Sequence, residues 1–200
     1  MKWYGKTLKL KRGVTIQISL LYACNLFCEY CSLEMPTGKR PTAKQSTLEE
    51  WITYIKNFPT KVKEVYVSGG EPTLVKWLPE LLEWLIKEGY HVTVFTNLYN
   101  SELLMIKPSY RYQIIASYHK PPDEKSNPEL YDSELRFNEA YYKLKDKYRI
   151  EVDEIGSKIL PYSKVKPFNT MDVLKDHEFR ISPDLQVYIS CYDHFLQKSK

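Results

Sequence analysis

An α/β fold on a mostly parallel sheet follows from two observations. Short apolar runs at a spacing of two alternate with longer runs at helical spacing, five or six times within 200 residues. Polar or thiol-bearing residues gather where the short runs end, which is the edge where parallel sheets build their sites.

The elements follow in order. "VTIQISL" (14–20) sets Val14, Ile16, Ile18 and Leu20 on one face of a strand. "STLEEWITYIKNF" (46–58) predicts a helix, with Ser46 and Glu49 at capping-box spacing and Leu48, Trp51, Ile52 and Ile55 on one side. "EVYVS" (64–68) predicts a second strand. "WLPELLEWLIKEG" (77–89) predicts a helix with Pro79 near its start and Gly89 as its stop. "HVTVFT" (91–96) is a third strand, "SELLMI" (101–106) a short helix cut off by Pro108, and "YQIIAS" (112–117) a fourth strand. "HKPPDEKSNPE" (119–129) predicts an exposed loop. The helix over 132–148 is marked by Phe137, Tyr141, Leu144 and Tyr148, and "RIEVDEI" (149–155) is a fifth strand. Pro161 and Pro167 interrupt the next stretch, which leaves room for one short helix near "TMDVLK". "HEFRISPDLQVYISC" (177–191) then predicts two strands joined by a Pro-Asp turn. Such a chain makes an open or partial (β/α) barrel or a doubly wound sheet, since it falls short of the eight repeats of a closed barrel. We expect one domain over 1–200, with a core at about 14–155 and a C-terminal extension over 156–200 holding a β-hairpin.

Bulk properties narrow the function classes. An apolar share of 43% and a charged share of 27% suit a globular domain and exclude a disordered chain. A formal charge of +4, concentrated near the two ends, is too small to predict nucleic-acid binding. Lys2, Lys6 and Lys9 are not followed by an apolar stretch, so no signal peptide is expected, and no apolar run is long enough to span a membrane. Three clustered cysteines fit poorly with secretion, where paired disulfides dominate; a reducing cytoplasm is the expected compartment.

The chemistry concentrates in "CNLFCEYC" (24–31), directly after the first strand. Three thiols at this spacing suit a cubane iron–sulfur cluster with one iron left open to a chelating ligand. A zinc knuckle completed by Cys191 or His194, or three unrelated buried thiols, are the other readings. "VSGGEPTL" (67–74) ends the second strand: Gly69 and Gly70 let backbone approach a ligand closely, and Glu71 can receive an ammonium group. Thr96 and Asn97 end the third strand and Ser117 the fourth, offering hydroxyls and an amide suited to a ribose or simply to turn caps. His119, Lys120 and Asp153 fall at the same edge and read as solvated loop or strand-end residues.

Cys24-x3-Cys28-x-Tyr30-Cys31 resembles the cluster motif of the radical S-adenosylmethionine (radical SAM) enzymes, and "GGEP" (69–72) resembles the second motif of that family. The resemblance spans roughly residues 14 to 155 and implies a partial (β/α)6 TIM-like barrel. It implies that Cys24, Cys28 and Cys31 ligate a 4Fe–4S cluster whose fourth iron is chelated by S-adenosylmethionine. Tyr30 would lie near the adenine; Gly69, Gly70, Glu71 and Pro72 would form the segment that receives the methionyl ammonium; Asn97 and Ser117 would contact the ribose. Reductive cleavage would yield a 5′-deoxyadenosyl radical that abstracts hydrogen from a peptide, a nucleotide-like metabolite or a glycyl-radical protein, with an electron donor such as flavodoxin or ferredoxin. The competing function is a noncatalytic iron–sulfur or zinc-binding module. Departures from the family pattern are also legible. The fifth strand lacks a "GxIxGxxE" segment, leaving only Val152 and Ile155 as candidates near the adenine. "RISPDLQVYISC" resembles the entrance to an auxiliary-cluster extension, with Asp-Leu in place of the usual Asp-Gly. No cysteine follows Cys191, so a second full cluster is not expected.

Overall fold

The computed structural model describes residues 13–31, 44–121, 124–155, 178–185 and 187–188. The helix forecast near 170–175, Cys191 and His194 lie outside them. Each strand appears where period-two patterning placed it. They are β1 (Val14–Ser19), β2 (Val62–Ser68), β3 (His91–Thr96), β4 (Tyr112–His119), β5 (Arg149–Ile155), β6 (Glu178–Ile181) and β7 (Val187–Tyr188). The sheet runs β5-β4-β3-β2-β1-β6-β7, parallel throughout except for the antiparallel β6–β7 pair.

β1 through β5 each pair in parallel with the next in sequence, which requires a crossover connection between them. The sixth strand does not extend this series beyond β5. It returns to pair with the free edge of β1, Thr15 to Ile18 lying against Glu178 to Ile181. The sheet is therefore open among the described residues, and β1, with the cysteine segment at its C-terminal end, becomes an interior strand. The Pro-Asp turn does make the β6–β7 hairpin. Leu185 takes a left-handed φ of 61° there.

Among the described residues three helices cover the sheet: α1 (Leu48–Lys56), α2 (Leu78–Lys87) and α3 (Glu134–Leu144). Their apolar faces supply Trp51 and Ile55; Leu78, Leu81, Leu82 and Leu85; and Phe137, Ala140 and Leu144. These pack with Ile16, Ile18, Val65, Val67, Val92, Val94 and Ile114 of the strands into one core. α2 ends as its glycine predicts: Gly89 has φ +92°, its N–H bonds Ile86 O, and Tyr90 N–H reaches back to Leu85 O, a Schellman closure. The segment forecast as a helix over 101–106 is only a 3₁₀ turn, Ser101–Leu104, because Pro108 follows too closely for an α-helix to propagate.

The start of α1 is shifted by one residue from the forecast. Thr47, not Ser46, caps the helix: its hydroxyl accepts from Glu50 N–H at 3.2 Å, while Glu50 Oε2 accepts from Thr47 N–H at 2.8 Å. Ser46 is instead buried, its N–H bonded to Pro183 O next to the β6–β7 hairpin. Spacing alone allowed both pairs, and packing against the hairpin selected one. Thr47→Ala is expected to lower stability by about 1 kcal/mol, whereas Glu49→Ala on the exposed side should change it by less than about 0.5 kcal/mol; urea titration of the two variants measures the difference.

Candidate active site

The C-terminal ends of β1, β2, β3 and β4 converge on the cysteine loop, and backbone contacts hold them together. Gly70 N–H bonds Leu21 O at 2.7 Å and Glu71 N–H bonds Ala23 O at 2.9 Å, so the Gly-Gly-Glu segment runs alongside the chain entering the cysteines. The approach is too close for any side chain. A Cβ on Gly70 would stand 2.0 Å from Ala23 O, and one on Gly69, whose φ is +136°, would stand 2.3 Å from Leu21 O. Sequence reading assigned these glycines to the approach of a ligand; in the structure their bareness already admits the cysteine loop's own backbone.

Glu71 turns inward. Its side chain is 1% exposed, and its carboxylate accepts four hydrogen bonds. Oε1 takes Thr73 N–H at 2.9 Å, the Thr73 hydroxyl at 2.6 Å and the Thr96 hydroxyl at 2.7 Å; Oε2 takes Asn97 N–H at 2.7 Å. Burial pushes its pKa up, against the pull of these donors. The role read from sequence, a carboxylate presented to an ammonium group, does not match this placement: the oxygens tie the end of β2 to the end of β3. Pro72 opens the buried 3₁₀ turn that follows.

Asn97 is 3% exposed and faces the cysteine loop. Its Nδ2 donates to Asn25 Oδ1 at 2.9 Å and lies 3.8 Å from Cys24 Sγ, while its Oδ1 is buried without a partner. Its carbonyl accepts from Arg136, as does that of Leu98, which is fully buried at φ 61°. Arg136 also pairs with the buried carboxylate of Asp132, whose other oxygen takes His119 N–H at 3.0 Å. Neither Asp132 nor Arg136 was foreseen. Their i,i+4 spacing was visible, but such pairs usually mark a solvated helix face.

The loop's other wall was also missed. The stretch read as an exposed Pro-rich loop carries a 3₁₀ turn, Pro128–Leu130, whose end packs on the cysteines. Phe27 N–H bonds Leu130 O at 3.1 Å, the Cys28 thiol points at the same carbonyl at 3.7 Å, and Leu26, Cys28 and Tyr131 form a small apolar cluster. Tyr30 donates to Lys120 O at 3.2 Å, and its ring lies nearly parallel to that of His119, 14° apart in plane with centroids 6.1 Å apart. His119, read as a solvated residue, has a buried Nδ1 without a partner. Lys120 is exposed and pairs with Glu154, Asp153 is exposed, and Ser117 is buried near the end of β4. Val152 is 47% exposed, and the side chain of Ile155 lies outside the described residues.

Cys24, Cys28 and Cys31 form no disulfide among the described residues. Burial and the neighbouring Cys24 and Cys31 push the Cys28 pKa up to about 12, so a metal must displace the Cys28 proton. No three His, Cys, Asp or Glu side chains among the described residues converge as a single metal ion requires. A four-iron cluster takes one thiolate on each of three irons and needs no common point. The donor set, with the unpaired Asn97 Oδ1 beside it, fits such a cluster. A separate cleft of about 800 Å³ lies at the opposite, N-terminal strand ends, between Lys61, Lys63, His91 and Arg111, and takes no part in this site.

Thiols at the C-terminal edge of an open, mostly parallel sheet make an α/β arrangement, and comparison with known proteins ties it to the radical SAM superfamily. The family model of the radical SAM superfamily matches residues 18–108 of this chain. The chain is 34% identical over 77 residues to 7-carboxy-7-deazaguanine synthase of Aquifex aeolicus, covering 38% of this chain and 33% of the relative. It is 32% identical over 95 residues to PqqA peptide cyclase of Bradyrhizobium diazoefficiens, covering 47% and 23%. The chain thus spans a third or less of these relatives' length. Among solved structures, BtrN in complex with AdoMet and 2-DOIA superposes with a TM-score of 0.59 over 94% of this chain and 76% of that one, at 15% identity, which speaks for the fold.

Two outcomes test the site as an apoprotein. Glu71→Ala strands buried donors from two strand ends and should cost about 3 kcal/mol or more in chemical denaturation. Burial also lowers the His119 imidazole to about 4, against the opposing charge of Asp153. Its folded pKa lies below the unfolded value, so the unfolded chain binds the proton first and stability falls as pH drops from about 6.5 to 4, by up to about 3 kcal/mol. His119→Gln should flatten that part of the stability–pH curve.

Proposed function

We propose that this chain is the catalytic core of an enzyme that cleaves S-adenosylmethionine reductively, with Cys24, Cys28 and Cys31 holding a 4Fe–4S cluster. The observation that carries the reading is the clamp of Gly70 and Glu71 on the backbone of Leu21 and Ala23, which seats three thiols where four parallel strands end. When bound, the cluster would supply the electron that splits the sulfonium into methionine and a 5′-deoxyadenosyl radical, which takes a hydrogen atom from substrate.

The residues of this chain do the positioning. Glu71 is committed to Thr73, Thr96 and Asn97, so the Gly69–Pro72 segment would meet the methionyl ammonium through its backbone. Tyr30 and His119 provide parallel planar faces beside the cysteines, suited to an adenine edge. Asn97 Oδ1 and the Ser117 hydroxyl are the buried polar groups offered to the ribose. Leu130 and Tyr131 close the far wall against water.

The substrate would be a peptide, a nucleotide-like metabolite or a glycyl-radical protein, and relatives acting on deazaguanine precursors and on a peptide support that range. An electron donor of the flavodoxin or ferredoxin class and a reducing cytoplasm would serve the same chemistry. No helix among the described residues is long and apolar enough to cross a membrane.

Anaerobic reconstitution with iron and sulfide tests the proposal. The wild-type chain should bind four irons per chain, perturb the cluster spectrum on addition of S-adenosylmethionine, and form 5′-deoxyadenosine once reduced. Cys28→Ala should abolish all three. A colourless protein holding stoichiometric zinc would refute the assignment.

A further inference from the structure

The arrangement around Cys24 extends beyond holding a ligand in place. Its sulfur lies 3.4 Å from Leu26 N–H and 3.8 Å from Asn97 Nδ2, so two N–H groups are directed at it, one from its own loop and one from the end of β3. The second comes from a side chain with little freedom. Asn97 is 3% exposed; its N–H is held by Glu71 Oε2 at 2.7 Å, and its carbonyl by Arg136 at 2.8 Å. Both backbone groups are thus tied to buried or half-buried charged side chains. The amide is oriented from its donor side: Nδ2 is shared between Asn25 Oδ1, at 2.9 Å, and the sulfur, while Oδ1 is buried and unpaired.

An amide with its acceptor unpaired and its donor aimed at a thiol is oriented for that thiol's charged form. Hydrogen bonds to cysteine sulfur stabilise the more negative, reduced state of an iron–sulfur cluster and raise its potential. Glu71 then acts at one remove: its carboxylate fixes Asn97, and Asn97 addresses Cys24.

We propose that Asn97 is a positioning residue that sets the reduction potential of a cluster bound at Cys24, through its Nδ2 donor and under the control of Glu71. The proposal rests on the cluster reading above. The couple concerned is one electron taken up by the cluster from an external reductant, with no bond made or broken.

The test uses the full chain, reconstituted anaerobically and titrated with dithionite and mediators in the absence of S-adenosylmethionine, with the reduced cluster counted by electron paramagnetic resonance. Asn97→Leu removes the donor and the unpaired oxygen together and keeps the backbone bonds. At a fixed potential its ratio of reduced to oxidised cluster should fall roughly threefold or more. Asn25→Ala removes the competing acceptor, so Nδ2 turns to the sulfur and the ratio should hold or rise. Opposite behaviour of the two variants separates tuning from general disturbance of the site, and the Asn25 variant decides the matter if Asn97→Leu fails to fold. A wild-type cluster with an unchanged potential in Asn97→Leu, or a fall in both variants, overturns this inference and leaves the cluster reading standing. Absence of any wild-type cluster overturns both.

Discussion

Much of this protein's architecture depends on one buried carboxylate. Glu71 gathers the Thr73 hydroxyl and N–H from its own turn and the Thr96 hydroxyl and Asn97 N–H from the next strand end. A carboxylate that deep in a protein is tolerated only when donors surround it, and here the donors are the ends of the elements that must meet. Its backbone adds a third attachment, to Ala23 at the mouth of the cysteine loop. Three strand ends are therefore held to one another through a single residue.

Arg136 performs a similar task from the other side. Its guanidinium joins Asp132 at the start of α3 to the carbonyls of Asn97 and Leu98, so the turn after β3 lies between two charged groups. The left-handed backbone at Leu98 is sustained by these contacts and by full burial of its side chain. Rigid support of this kind is what a site needs when the reacting group belongs to a cofactor and the protein supplies orientation.

Much of the fold could be read directly. β1 occupies a stretch where apolar residues alternate and its burial alternates with them, and α2 stops at Gly89, because burial imposes a period and a terminus imposes a cap. The cysteine spacing and the Gly-Gly-Glu-Pro segment showed the resemblance to the family whose model matches residues 18–108. Less could be read of the roles inside the site. The choice between Ser46 and Thr47 as cap, the burial of His119 and the packing of Leu130 on Cys28 all depend on residues distant in sequence.

The sequence by itself determined the local elements and the inventory of chemistry: three thiols on one loop, two glycines and a glutamate on the next strand end, and polar residues on the two after that. Only the tertiary structure decided which way each group faces. Periodicity constrains a residue to one side of its own element, but a hydrogen bond between strand ends depends on the register of two elements. The glutamate that looked free to meet a ligand is spent on Thr96 and Asn97 because the parallel pairing of β2 with β3 brings them within reach. The return of β6 to the free edge of β1 is likewise a choice among partners of equal local merit, made by the sheet as a whole.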